Sequence, residues 1–211
     1  IENKSSLINV HLISKKEDCK FKLINKINPD YIFLVHWNYL LDEEIWGNWP
    51  TFVFHMTDLP FGRGGSPLQN LIKNGFTETI ITALDCKKEL DSGDIYLKEK
   101  LSLLGSAEEI YLRANDIIMK MILNLITEKI IPQPQKGNPS YFKRRNKSES
   151  NLLTCKNSDI EDWYNHIRML DAEDYPFAFL EVNGMKIEFR RASRRSDGIF
   201  ADVKIFPIKK Y

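Results

Sequence analysis

Cysteine is scarce: Cys19, Cys86 and Cys155 are the three in 211 residues, widely spaced and odd in number. That spacing offers neither a disulfide framework nor a zinc-ligand cluster, and it fits a reducing cytoplasm. Long apolar runs are missing too. No stretch reaches the roughly 18 residues that a membrane-spanning helix needs, and residues 1–6 are polar, without the apolar centre of a signal peptide. Charge of one sign is also absent, since 30 Lys and Arg face 29 Asp and Glu for a formal net charge of +1. No global basic field therefore announces a nucleic-acid partner. Local basic runs do occur, at Lys143, Arg144, Arg145 and Lys147 and again at Arg190, Arg191, Arg194 and Arg195. Such runs are usually solvated surface and less often anion contacts.

What is present suits a globular α/β chain with a 43% hydrophobic fraction. Its length predicts one large domain with a small appendage. Residues 7–13 alternate and read as a strand, 17–27 as a helix closed by Asn28-Pro29-Asp30, and 31–36 as a short buried strand. Residues 42–46 suggest a short helix, 51–55 another buried strand, and Ser66 caps a helix running to about Asn74. Strands are expected at 78–84 and 95–101. Ser106 and Glu109 form a capping box that opens a long helix with Ile110, Leu112, Ile117, Ile118, Met121, Ile122, Leu125 and Ile126 at helical spacing. The expected fold is an open, mostly parallel Rossmann-like sheet over residues 1–131, a Pro-rich linker over 132–157, and a small α+β subdomain over 158–211. An α/β domain should open with a strand and a Gly-rich turn, so part of the N-terminal sequence is expected to lie outside this chain.

Two features carry chemistry. His55 closes a predicted strand, where open α/β sheets place their ligands. Asp85, Glu89, Asp91 and Asp94 crowd a loop after another strand. A carboxylate brought beside an imidazole orients the ring and can share a proton with it. The plainer alternative is a structural histidine and a solvated acidic loop.

The segment His55-Met56-Thr57-Asp58-Leu59-Pro60-Phe61-Gly62-Arg63-Gly64-Gly65 resembles the His-x-x-Leu-Leu-Pro-x-x-x-Gly signature of the 10-formyltetrahydrofolate-dependent formyltransferases. Leu90-Asp91-Ser92-Gly93-Asp94 is similar to that superfamily's Leu-Asp-Thr-Gly-Asp, and the step of 36 residues from His55 to Asp91 keeps the two in register. The resemblance implies catalytic roles for His55 and Asp91 and 10-formyltetrahydrofolate as formyl donor. It also implies a folate pocket along Trp37, Tyr39, Leu40 and Leu41 and along Cys86, Lys87, Lys88, Glu89 and Leu90. The superfamily's catalytic Asn, two residues before the His, is replaced by Val53. Thr57, Gln69 or backbone N–H groups of the Gly-rich loop would have to stabilise developing negative charge instead.

The loop around His55 looks closest to sugar-nucleotide N-formyltransferases of the pseudaminic-acid type. The expected acceptor is therefore a nucleotide-linked amino sugar for surface-glycan synthesis, met by Thr57, Arg63, Gly64 and Gln69, with Arg63, Lys143, Arg144 or Arg145 on its diphosphate. The tail reads as too short for the C-terminal barrel of a methionyl-tRNA formyltransferase, which stands as the alternative. A folate- or nucleotide-sugar-binding pseudoenzyme is a second alternative, motivated by Val53. No membrane partner is expected and nucleic acid is disfavoured, while the oligomeric state stays open.

Overall fold

The computed structural model describes residues 8–155, 159–173 and 175–208. Chain order runs α1 (Phe21–Ile27), β1 (Ile32–Leu34), α2 (Glu43–Trp46), β2 (Thr51–His55), β3 (Arg63–Gly64), α3 (Pro67–Lys73), β4 (Glu78–Asp85), β5 (Ile95–Ser102) and α4 (Ala107–Thr127). Then come β6 (Tyr141–Phe142), two 3-10 turns, α5 (Ile160–Arg168) and the strands β7 (Ala178–Val182), β8 (Met185–Arg194) and β9 (Ile199–Pro207).

The main sheet has the order β1-β2-β4-β5. Its class is α/β with a small C-terminal α+β part, as expected, whose strands β7-β8-β9 form an antiparallel sheet, but "mostly parallel" needs correction. β1 and β2 are parallel, while β2–β4 and β4–β5 are antiparallel. For β4 and β5 the reason is local. Residues 86–94 join β4 to β5 too briefly for the crossover of a dozen or more residues that a parallel pair requires. Residues 8–13 correct a second expectation, because they form no strand; Leu7 lies outside the described residues. Val10 and Leu12 are exposed, so the alternation there has no buried face to serve.

β2 shows how the sequence aims its side chains. Phe52, Phe54 and Met56 enter the core against Ile81, Ala83 and Leu101, and the period of two turns Val53 and His55 to the opposite face. Helix α4 covers the core face with Ala107, Ile110, Ala114, Ile118, Met121 and Leu125. Leu112, expected on that stripe, is exposed instead; three- and four-residue steps from Ile110 bypass it. The capping box at Ser106 and Glu109 is formed, a feature worth about 1 kcal/mol. Ser66 holds the N-cap position of α3 but caps nothing. Its φ of 51° turns the hydroxyl away, where it accepts the Arg145 backbone N–H at 3.2 Å.

The C-terminal elements share this core rather than standing apart, for Leu152, Ile167, Met169, Leu170 and Ala178 join the same cluster. Arg168, buried beside α4, donates through Nη1 to the Leu103 and Gly105 carbonyls at 2.6 and 3.0 Å and through Nε to Asn165 at 2.7 Å. Burial lowers its pKa. These hydrogen bonds offset part of the cost of placing a guanidinium there. Residue 158, where the C-terminal subdomain is expected to begin, lies outside the described residues.

Candidate active site

A cavity of about 820 Å³ opens on the face of β2 that carries Val53 and His55. Because β4 runs antiparallel to β2, the 86–94 loop leaves from near Thr51, where Cys86 N–H meets the Thr51 carbonyl at 2.8 Å. It then folds back over that face and sets Asp91 Oδ2 3.5 Å from His55 Nδ1. Both side chains are buried.

Each partner is held by a backbone group of the 62–64 loop, His55 at its far nitrogen and Asp91 at the same oxygen that faces the ring. His55 Nε2 lies 2.8 Å from the Gly62 carbonyl. A carbonyl can only accept, so Nε2 carries a hydrogen and Nδ1 is the nitrogen left to face the carboxylate. Asp91 Oδ2 accepts the Gly64 N–H at 2.8 Å. Asp91 itself sits at φ 53°, a left-handed conformation that Asp adopts more readily than bulkier residues. Gly93 allows the tight return: a Cβ there would lie 2.0 Å from the Asp85 carbonyl oxygen.

The residues that the resemblance assigns to a folate wall divide by their place at the cavity. Trp37, Tyr39, Leu40, Leu41, Cys86, Lys87, Lys88 and Leu90 line the cavity, but Glu89 does not. Trp37 Nε1 and Asp85 Oδ1 are buried without hydrogen-bond partners among the described residues. Burial first, with Asp85 and Asp91 adding to it, pushes the Cys86 thiol up to about 11, which keeps it a neutral wall group. Lys87 pairs with Asp85 at 2.7 Å, and that contact raises the lysine's pKa.

The expected acceptor residues divide. Gly64 and Gln69 line the cavity; Thr57 and Arg63 do not. Arg63 is spent on the loop, since Nε and Nη2 donate to Gln135 Oε1 at 3.2 and 2.8 Å and Nη1 meets Glu89 at 3.3 Å. A diphosphate role for Arg63 is therefore corrected, because its fork is already filled. Arg144 and Arg145 do line the cavity, together with Lys147. The second basic run lies on the C-terminal sheet, with Arg191 paired to Asp202 and Arg190 over the Phe177 ring at 3.7 Å.

The expected substitutes for the Asn replaced by Val53 are engaged elsewhere. The N–H groups of Gly62, Arg63, Gly64 and Gly65 go to Ser140 Oγ, Ser140 O, Asp91 Oδ2 and Phe142 O. Thr57 Oγ1 donates to the Gly62 carbonyl at 3.4 Å, and Gln69 Nε2 to Tyr111 and the Met169 carbonyl, both at 3.3 Å. Residues missed by sequence reasoning include Tyr111, Tyr175 and Glu173 on the cavity wall and Gln135 and Ser140 behind the loops. None stands in a motif, and the linker residues read as boundary signals only.

The methionyl-tRNA formyltransferase C-terminal domain model matches residues 147–206. A solved methionyl-tRNA formyltransferase from Clostridium thermocellum is 45% identical, with a TM-score of 0.89, over 92% of this chain and 86% of that one. The chain belongs to the methionyl-tRNA formyltransferase family. The methionyl-tRNA formyltransferase of Campylobacter lari is 28% identical over 85% of this chain and 59% of its own length. The chain spans about half the length of the curated relatives it matches. A 4-N formyltransferase from Francisella tularensis is 18% identical, with a TM-score of 0.60 over 81% of this chain and 72% of that one, and shows the fold alone.

These matches overturn the assignment to a nucleotide-linked amino sugar. Two arguments misled it. The tail judged too short for a methionyl-tRNA formyltransferase domain is matched by that domain's model. The near-neutral net charge averaged away the local basic run at the cavity.

Proposed function

We propose that this chain transfers a formyl group from 10-formyltetrahydrofolate to the α-amine of methionyl-tRNA, with His55 and Asp91 at the chemistry. The observation that carries the reading is the buried His55–Asp91 pair at 3.5 Å on the wall of a cavity of about 820 Å³. Its setting is a chain 45% identical to a methionyl-tRNA formyltransferase. The volume lies within the roughly 300–1,000 Å³ usual for small-molecule sites. The wall also fits a flat heteroaromatic donor. Trp37 Nε1 is a buried donor and Asp85 Oδ1 a buried acceptor, both without partners, beside apolar Leu40, Leu41 and Leu90. Trp37, Leu40, Leu41, Cys86, Lys88 and Leu90 would hold it.

The donor supplies the formyl group when bound. His55 and Asp91 manage protons. As the methionyl amine bonds to the formyl carbon it sheds a proton, which His55 Nδ1 accepts with Asp91 as immediate counter-ion. Nδ1 then returns that proton to the nitrogen that loses the formyl group, so charge and hydrogen balance. The Gly62 carbonyl holds the ring so that Nδ1, rather than Nε2, carries this traffic. Arg144, Arg145 and Lys147 are placed for phosphates of the acceptor end. We assign catalysis to residues 1–131, connection to 132–157 and the C-terminal unit to 158–211. Work on charged tRNA also supports the cytoplasmic expectation; among the described residues no helix is long and apolar enough to cross a membrane.

A binding-only protein is the second reading, favoured by Val53 on the cavity wall and by the engaged state of the nearby donors. One assay separates the two. Protein, 10-formyltetrahydrofolate and methionyl-tRNA should yield N-formylmethionyl-tRNA at a rate that His55→Ala lowers by about 10²–10⁴-fold. Donor binding with no formylated product would sink the catalytic reading.

A further inference from the structure

Both loops of the His55–Asp91 pair are fastened by one segment that belongs to neither. After α4 the chain returns along the edge of β5, where Ile95 and Gln133 exchange backbone hydrogen bonds of 2.8 and 2.9 Å. That contact brings Gln135 over the Asp91 loop. Its Nε2 donates to the Asp91 carbonyl at 2.8 Å and the Gly93 carbonyl at 2.9 Å. Its Oε1 accepts from Arg63 Nε and Nη2. One amide thus ties the loop carrying Asp91 to the loop carrying Gly62.

Farther along the same segment, Ser140 Oγ accepts the Gly62 N–H at 2.8 Å. Ser140 O takes the Arg63 N–H at 2.9 Å, and Ser140 N–H meets the Pro60 carbonyl at 3.2 Å. Gly62 is the residue whose carbonyl orients His55. Phe142 closes the contact so tightly that a Cβ on Gly62 would lie 2.7 Å from its ring and one on Gly64 2.5 Å from its carbonyl oxygen.

We infer that Gln135 is a positioning residue for formyl transfer, holding Asp91 in its left-handed conformation, and that Ser140 performs the matching task for His55 through Gly62. The inference rests on the proposed reaction at that pair. Neither side chain lines the cavity, so their influence passes through the loops. Gln is suited to this post because it donates and accepts at once. Two donated hydrogens satisfy two carbonyls at a tight turn, and the oxygen fills the Arg63 fork.

The test compares native protein with Gln135→Ala, Gln135→Glu and Ser140→Ala. Amide hydrogen exchange over residues 61–65 and 89–94 is read beside kcat and KM for methionyl-tRNA formylation. The Gln135 variants should speed exchange in 89–94 and lower kcat by up to about 10²-fold, the scale of a misplacement near 1 Å. KM for 10-formyltetrahydrofolate should change much less than kcat, since Leu90 is the one proposed folate-wall residue on the 89–94 loop. Gln135→Glu keeps the volume and the Arg63 contact but cannot donate twice, so it carries the test if Gln135→Ala does not fold. Ser140→Ala should speed exchange in 61–65 with a smaller kcat loss.

Native kcat and native exchange in folded Gln135→Glu would overturn the inference. So would equal changes in kcat and KM with exchange faster throughout the chain, the mark of general destabilisation. If the native protein formylates methionyl-tRNA and the Gln135 variants match it, positioning alone fails. If the native protein has no activity, the reaction fails, and exchange in 89–94 still decides whether Gln135 clamps the loop.

Discussion

The wall built from residues 53–65 and 89–94 has its polar groups already joined to one another, whereas the wall from 37–41 and 85–88 keeps polar atoms without partners. On the first, His55, Asp91, Gly62 and Gly64 satisfy each other at 2.8–3.5 Å. On the second, Trp37 Nε1 and Asp85 Oδ1 have none among the described residues, and Leu40 is 82% exposed. The difference separates two tasks. Groups that must act in one geometry are fixed before ligand arrives. Groups that must grip a ligand hold unspent hydrogen bonds and apolar surface until it comes.

Substitutions can break or sharpen that contrast, and the largest expected effect lies on the fixed wall. Val53 shares His55's face and brings no polar atom, while the nearby donors are engaged. Val53→Asn should add a donor there and raise kcat by as much as about 10²–10³-fold, measured at saturating donor and methionyl-tRNA. An unchanged kcat would mean that an existing group already fills this role.

Next comes Gly93→Ala. Its Cβ would meet the Asp85 carbonyl oxygen at 2.0 Å, so the variant should lose about 1–3 kcal/mol of stability in urea unfolding, with kcat falling as the Asp91 loop shifts. An unaltered unfolding midpoint would show that the return of the loop is slack.

The ligand wall should respond differently. Trp37→Phe deletes a hydrogen-bond donor that satisfies nothing in the free protein, so the unfolding midpoint should stay put or rise slightly. KM for 10-formyltetrahydrofolate should rise by about 3–10-fold, corresponding to the roughly 0.5–1.5 kcal/mol of one hydrogen bond. A stability loss without a KM change would place Trp37 in the scaffold instead.

The smallest effect is chemical. Burial beside Asp85 and Asp91 raises the Cys86 thiol to about 11. A raised thiol pKa leaves the nucleophilic thiolate scarce until the pH nears that value. Alkylation of Cys86, followed by peptide mass spectrometry, should remain slow at pH 8–9 and accelerate toward pH 11. Rapid labelling at pH 8 would contradict the environment described.

The sequence is most legible where a pattern is local. The apolar run at 51–55 made β2 and the place of His55 at its end legible, and Ser106 with Glu109 marked the start of α4. Strand direction was not legible. Hydrophobic period does not encode whether a neighbour runs parallel, and the loop that makes β4 and β5 antiparallel was itself read for its carboxylates. Arg63 shows a second limit. A cation in a Gly-rich loop reads alike whether it faces a ligand or a glutamine brought in from position 135. Gln135 and Ser140 carry no local signal because their partners lie 40 or more residues away. The C-terminal residues misled through counting, since the length of the tail was weighed instead of its pattern.

The central claim is that the fixed wall performs formyl transfer, and single-turnover formylation of methionyl-tRNA at saturating 10-formyltetrahydrofolate tests it most directly. His55→Ala should cut the single-turnover rate by about 10²–10⁴-fold, the usual contribution of a positioned acid–base group, with donor affinity close to native. A His55→Ala protein that transfers formyl at the native rate would contradict the account.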